Sequence, residues 1–387
     1  MKEFDYLGTG EVYLDSACQS LRPRCVIDAI NNYYTEHNSC GERVKYKWGV
    51  ETDEKVEETR ELVLKYLGLK AKKYTVSFTL NTTYGINLIL SQLKADCFRK
   101  VMTSEIEHNS PFLATMAFAE RTGLKREVMK RNDDGSISLA DYDFTRAVVV
   151  VNCASNFDGR KLLNIKELIR EVHKADGVVI IDAAQAMAHS SEILHGTEAD
   201  AICFSAHKLY APSLGVIVWR DELMDKMVQG FVGGGMVDDV TQDTYVLSAE
   251  GKEHRYTRFE AGLQAWGEIV GLGAALKWLG KVSKSDWKTL ESNYNELYTF
   301  LDSSEKVHLV NHQANPTMSF YVDGIDSHML GNALSRENIM ARTGYFCAHY
   351  YLDHVLGLPP LMRFSLGLHT RPEDIDKVKK VMEIILS

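Results

Sequence analysis

The run Ala-Ile-Cys-Phe-Ser-Ala-His-Lys, residues 201 to 208, ends a predicted β-strand with polar groups and a lysine. Ligands of open α/β sheets collect outside the carboxyl ends of the strands, so Lys208 stands where a reactive group is expected. A lysine amine condenses with an aldehyde once desolvation or a neighbouring cation lowers its pKa, although most single lysines are solvated loop residues. One unit earlier, Val-Val-Ile-Ile-Asp-Ala-Ala-Gln puts Asp182 at the end of a buried strand and Gln185 three residues on. A buried carboxylate needs a cation, and a protonated pyridine nitrogen is one; a helix N-cap is the competing role. Asn81-Thr82-Thr83-Tyr84-Gly85 follows a strand and opens a helix. Free amides, hydroxyls and the helix dipole favour phosphate there, with N-capping by a threonine as the alternative. Ser205 and His207 can add contacts to the same phosphate. Taken together, these residues predict a phosphorylated pyridine aldehyde, pyridoxal 5'-phosphate (PLP), carried as a Schiff base on Lys208.

The elements that must position them are those of an α/β chain. Val76–Thr79, Lys100–Thr103, Ala147–Val151, Val178–Asp182, Ala201–Ser205 and Gly215–Trp219 read as strands. Between them, Ile86, Ile89, Leu90 and Leu93 form one helical stripe and Ile165, Leu168, Ile169 and Val172 another. Val148–Val151 and Val178–Ile181 are apolar without alternation, as expected of parallel strands covered on both faces. Beyond residue 265 longer helical stretches dominate, which predicts a smaller α+β domain at residues 266–387 after a large domain at 21–265. Thr370 and Glu373 form a capping-box pattern, with Pro372 in the first turn and Ile375, Val378, Val381, Met382 and Ile385 on one apolar face of a closing helix.

Bulk properties narrow the function. The 387 residues suffice for two packed domains, and 45% hydrophobic with 25% charged residues is ordinary for a globular protein. A net charge of −9 argues against a nucleic-acid partner. Seven cysteines without C-x-x-C or zinc spacing fit a reducing cytoplasm. The absence of an apolar leader, or of an apolar run of about 18 residues, predicts neither secretion nor membrane insertion.

From Tyr-Leu-Asp-Ser-Ala (13 to 17) through Ser-Ala-His-Lys-Leu-Tyr-Ala-Pro to Arg-Phe-Ser-Leu-Gly (363 to 367), the chain resembles class V, fold-type I PLP enzymes. It is most similar to SUF-type cysteine desulfurases and selenocysteine lyases. The resemblance implies a large PLP-binding domain with a mostly parallel sheet, a small C-terminal domain, and an N-terminal segment (1–20) near the latter. It implies that Thr82, Thr83, Ser205 and His207 hold the phosphate, that Asp182 pairs with the ring nitrogen, and that Gln185 touches the ring hydroxyl. His108, in Glu107-His108-Asn109, would stack on the ring, and Asn156, after Ser155, would lie beside cofactor and substrate. Cys347, in Arg-Thr-Gly-Tyr-Phe-Cys-Ala, would be the nucleophile and Arg363 the grip on the substrate carboxylate. The implied reaction converts L-cysteine to L-alanine, with sulfur captured as a persulfide on Cys347 and passed to an acceptor protein or thiol, as in iron–sulfur cluster assembly. Another class V reaction on an amino acid (selenocysteine lyase, aminotransferase, epimerase or β-lyase), or a non-catalytic sulfur-handling scaffold, is the alternative. A cytoplasmic homodimer is implied.

Four positions depart from the family pattern. Leu263 follows Arg258-Phe259-Glu260-Ala261-Gly262 where a threonine is usual, so the hydroxyl that reaches a neighbouring subunit's phosphate is missing. The expected substitutes are Gln264 or backbone. His349-Tyr350 replaces a Gln-Pro pair, and Asn109 replaces a second histidine. These changes bear on the substrate and leave the cofactor set intact.

Overall fold

The structure is a computed structural model that describes residues 2–41, 44–248 and 255–387. A short strand, β1 (Val12–Tyr13), precedes seven that form the central sheet: β2 (Tyr74–Thr79), β3 (Lys100–Ser104), β4 (Lys125–Met129), β5 (Ala147–Asn152), β6 (Val178–Asp182), β7 (Ala201–Ser205) and β8 (Gly215–Arg220). Their order is β2-β8-β7-β6-β5-β3-β4. Neighbours from β7 to β4 pair in parallel, and β8 runs antiparallel to both β7 and β2. Each strand expected from the sequence is present, some longer by a residue or two. The unanticipated one is β4, Lys-Arg-Glu-Val-Met, whose charges suit the sheet edge it occupies beside β3.

The helices are α1 (Arg24–Glu36), α2 (Lys47–Tyr66), α3 (Thr82–Gln92), α4 (Asn109–Thr122), α5 (Ile165–Lys174), α6 (Ala186–His189), α7 (Trp266–Leu279), α8 (Lys284–Asp302), α9 (Ser327–Arg336) and α10 (Pro372–Leu386). Helices on both faces explain why β5 and β6 are apolar throughout. Val148, Val150 and Ile180 pack with Ile86 and Ile89 of α3 and Phe118 of α4. The alternate residues Val149, Val151, Val179 and Ile181 share the opposite core with Leu168 and Val172 of α5. Each such side chain contributes about 1.5–3 kcal/mol by leaving water, so neither face tolerates a polar residue until the strand ends.

A hairpin, β9 (Val237–Val240) with β10 (Tyr245–Leu247), precedes α7, which packs on α1 and α2. The C-terminal part holds a second, antiparallel sheet of β11 (Val307–Leu309), β12 (Thr317–Val322), β14 (Arg342–Gly344) and β15 (Leu361–Ser365), in the order β11-β12-β15-β14. Between α9 and β14, the short β13 (Ile339–Met340) pairs in parallel with β1, and Asp15 bridges Ser365. The chain's beginning is thereby fastened to its last sheet.

The cap of α10 corrects the sequence reading. Arg371, not Thr370, is the N-cap residue, and its N–H and guanidinium donate to the Asp374 carboxylate at 2.8 Å each. Thr370 is drawn away because its hydroxyl accepts from Gly367 N–H.

Candidate active site

The parallel strands end on one side of the sheet, and their last residues and following turns build a cavity of about 320 Å³. Its walls include all the residues singled out above: Thr82, Thr83, His108, Asn156, Asp182, Gln185, Ser205, His207, Lys208, Cys347 and Arg363. Because β8 is antiparallel, its first residue, Gly215, lies at the same end. A Cβ at Gly215 would come within 2.4 Å of the Asn81 amide nitrogen, so glycine there lets the α3 turn close over the strand ends.

That turn has the geometry of an anion cradle. Asn81, not a threonine, caps α3, its side chain accepting from Tyr84 N–H at 2.9 Å. Both threonine hydroxyls are thereby left for other partners. Thr82 Oγ1 lies 2.7 Å from Ser205 Oγ, which also accepts from Thr82 N–H at 2.9 Å. Thr83 Oγ1 lies 2.6 Å from Ser110 Oγ. Hydroxyls from α3, β7 and α4 thus gather at one helix N-terminus.

Asp182 closes β6 and is buried. Its Oδ1 accepts from Ala184 N–H at 2.9 Å, a turn within the strand end rather than a cap of α6, whose N-cap is Gln185. Burial pushes its carboxyl pKa up, with the Ala184 N–H and Lys208 opposing. Lys208 ends the turn after β7, and burial pulls its amine down, Asp182 acting against the shift and Arg363 with it. Burial and the charges of Lys208 and Arg363 take His108 down to about 3, so its imidazole is neutral. Its Nδ1 accepts from Ser110 N–H at 3.0 Å, which leaves the ring proton on Nε2. Gln185 donates its Nε2 to Ala17 O at 2.8 Å, tying the cavity to the chain's beginning.

The far wall comes from the second sheet. Arg363 on β15 is buried and donates Nη1 to Asn156 O at 2.9 Å and Nη2 to Asp15 Oδ1 at 3.0 Å, with Phe346 packed under its guanidinium at 4.8 Å. Cys347 is exposed on a turn where Phe346 and Cys347 both have left-handed backbone, φ 49° and 59°. Such a conformation is costly without glycine, and two hydrogen bonds hold it: Asn156 Nδ2 to Phe346 O at 2.5 Å and Asn109 N–H to Cys347 O at 2.6 Å. Both anchors come from the large-sheet side.

The residues fit PLP. A buried carboxylate 26 residues before a desolvated lysine, both on one cavity, suits a protonated ring nitrogen and an imine carbon, and the α3 cradle suits a phosphate. Among the described residues, Asn156 Oδ1 and Arg363 Nε are buried without a hydrogen-bond partner, an acceptor and a donor available to a bound molecule. A class-V aminotransferase family model matches residues 12–378. The chain belongs to the class-V aminotransferase family.

Within that family, its relatives include a probable cysteine desulfurase of Haemophilus influenzae, 30% identical over 94% of this chain and 83% of the relative. Another, from Vibrio cholerae, is 28% identical over 96% and 92%. A cysteine desulfurase structure from Thermococcus onnurineus superposes with a TM-score of 0.87 at 26% identity, covering all of this chain and 98% of the other. The fold is therefore that of fold-type I PLP enzymes, with a mostly parallel central sheet flanked by helices.

Several residues that line the cavity escaped the sequence reading. Ser110 and Asn152 line the cavity from the α4 start and the β5 end, and Cys18 and Arg342 from the chain's beginning and β14. Serine and asparagine at element boundaries are ordinary caps, so no signal separated these from dozens of others. Glu107, adjacent to His108, is buried; burial raises its carboxyl to about 8, so it is largely protonated at neutral pH while accepting from Asn152 N–H at 2.7 Å. Glu260, in the motif around Leu263, forms a buried pair with Arg60 at 2.7 and 2.9 Å and accepts from Phe78 N–H. That motif anchors the loop to β2. Leu263 itself is 76% exposed, and Gln264 gives one of its two amide N–H groups to Gly262 O.

Proposed function

We propose that this chain is a PLP-dependent cysteine desulfurase, releasing L-alanine from L-cysteine and keeping the sulfur on Cys347. The observation that carries the reading is the meeting, on one cavity, of Lys208 and Asp182 from the large sheet with Cys347 and Arg363 from the small one. A transaminase or epimerase needs Lys208 and Asp182 but no nucleophilic thiol; the thiol is what desulfuration adds.

Bound PLP supplies an electron sink for the α-carbon of an amino acid. Thr82, Thr83, Ser205 and His207 would hold its phosphate, Asp182 would keep its ring nitrogen protonated, Gln185 would contact its ring hydroxyl, and neutral His108 would stack on its face. Arg363 receives the substrate carboxylate beside Asn156 and so fixes which bond at the α-carbon faces Lys208. The Lys208 amine, its basicity lowered by burial, takes the α-proton and returns one to the product. Cys347 then attacks the substrate sulfur as a thiolate: a sulfur–sulfur bond forms, the carbon–sulfur bond breaks, and its electron pair stays on carbon until protonated. The persulfide on Cys347, exposed at the rim, passes its outer sulfur to an acceptor thiol or protein.

A homodimer belongs to the proposal. Phe231, Val232 and Leu263 are exposed apolar side chains on loops joined by the Gly262 N–H to Gly234 O bond, a surface suited to a second copy.

The deciding assay incubates the PLP-loaded protein with L-cysteine and measures alanine and sulfane sulfur or sulfide together. Equal amounts are expected. Alanine without released sulfur rejects desulfuration, and alanine production unchanged by Cys347→Ser moves the reading to another class-V reaction.

A further inference from the structure

The arginine assigned to the substrate carboxylate already carries a carboxylate. Asp15 Oδ1 accepts from Arg363 Nη2 at 3.0 Å, and Asp15 Oδ2 lies 3.8 Å from Arg342 Nη1. The two arginines are direct partners in the β14–β15 ladder, and both line the cavity. Like charges placed opposite each other repel, so one carboxylate shared between them relieves a clash that the fold itself creates.

Asp15 cannot easily withdraw. Ser365 N–H donates to Leu14 O at 2.8 Å, Ser16 N–H to Ser365 O at 3.2 Å, and Ala17 N–H to Ser365 Oγ at 2.9 Å, zipping the residues around Asp15 onto β15. Arg363 is only 3% exposed and Asp15 16%, so water screens their attraction little. Of the five guanidinium N–H groups of Arg363, Asp15 takes one and Asn156 O another, while Nε–H is buried and has no partner among the described residues. Donors therefore remain for an incoming carboxylate, but it must bind a cation whose charge is already half answered.

We infer that Asp15 is a built-in counter-carboxylate that lowers the affinity of the Arg363 site for the α-carboxylate of substrate and product. It is an affinity-setting residue acting through Arg363, and this rests on the carboxylate role proposed for Arg363. Substrate and product carry the same carboxylate, so a weaker grip speeds product departure at the expense of substrate capture.

The test is calorimetry on the PLP-loaded protein with 3-mercaptopropionate, a carboxylate without an amine, and with 3-mercaptopropionamide as its neutral counterpart. Asp15→Asn is expected to tighten binding of the acid about tenfold while the amide stays within about twofold, to lower KM for L-cysteine, and to strengthen inhibition by L-alanine. Damage to the fold would instead loosen both ligands. Acid binding that is unchanged or weaker in Asp15→Asn overturns the inference, as does equal tightening of the amide. Asp15→Ser, also neutral and smaller, must give the same sign and serves if the first variant does not fold. Arg363→Gln separates the two readings: if it leaves acid binding intact, the carboxylate role of Arg363 fails, whereas normal loss there without tightening in Asp15→Asn refutes Asp15 alone.

Discussion

The two walls of the cavity are built on different physical terms. The large-sheet wall hangs from strand ends: Asp182 and Ser205 are the terminal residues of β6 and β7, and apolar cores on both faces of the sheet fix their positions. The small-sheet wall presents Cys347 on an exposed turn of two left-handed residues, kept in place by one side-chain amide and one backbone N–H from across the cavity. The groups proposed to hold the cofactor sit where the fold is least deformable. The cysteine proposed to deliver sulfur outward sits where a few hydrogen bonds decide its place, and where solvent reaches it.

Substitutions on the two walls should differ accordingly. Lys208→Ala, on the rigid wall, removes the proton carrier, and alanine formation from L-cysteine should fall by at least about 10³-fold with the thermal midpoint little changed; a residual rate within tenfold of the parent would break the comparison at its strongest point. Cys347→Ser should lower sulfur release by about 10²-fold or more, leaving cofactor absorbance and stability as they were because the side chain is exposed. Asn156→Ala tests the coupling between the walls. Losing its bond to Phe346 O should cost about tenfold in kcat/KM, and a peptide-resolved hydrogen-exchange measurement should find faster exchange around residues 345–349 while the ends of β6 and β7 are unchanged.

The smallest effect concerns pH. Burial leads the causes that take His108 to about 3 and His189, His207 and His369 to about 4, below the 6.5 of an unperturbed histidine. The unfolded chain therefore binds more protons than the folded one below about pH 6.5, and the stability these neutral rings contribute is full above that value and lost as pH falls toward 4. Glu107, raised to about 8, works in the opposite direction between 4.5 and 8, and burial raises the Asp182 and Glu260 carboxyls in the same sense, three groups against four. Urea midpoints of the cofactor-free protein should fall steadily from pH 6.5 to 4.5; a flat profile would mean that these rings are solvated and the walls less dry than described.

Much of the large-sheet wall was legible in the sequence because a strand that ends in Asp182 or Ser205 announces both its burial and its exit. The continuous apolar runs of β5 and β6 fixed the strand type, and the Asn81–Gly85 run gave the helix start, although the cap proved to be asparagine. Edge strand β4 was not legible, since its charges mask the β pattern that its pairing with β3 imposes. The α10 cap misled because Thr370 and Arg371 are equally placed by spacing, and only the Gly367 contact tells them apart.

By itself, the sequence determined which local segments would be strands or helices and which chemically able residues would stand at their ends, because periodicity and capping act over a few residues. Only the tertiary structure decided that Arg342 and Arg363 would be ladder neighbours sharing Asp15, and that Asn156 would hold the Cys347 turn. The Asp15 and Asn156 contacts join residues some 190 to 350 positions apart. No local pattern encodes them, since they exist only once two sheets and the chain's first residues have packed around one cavity.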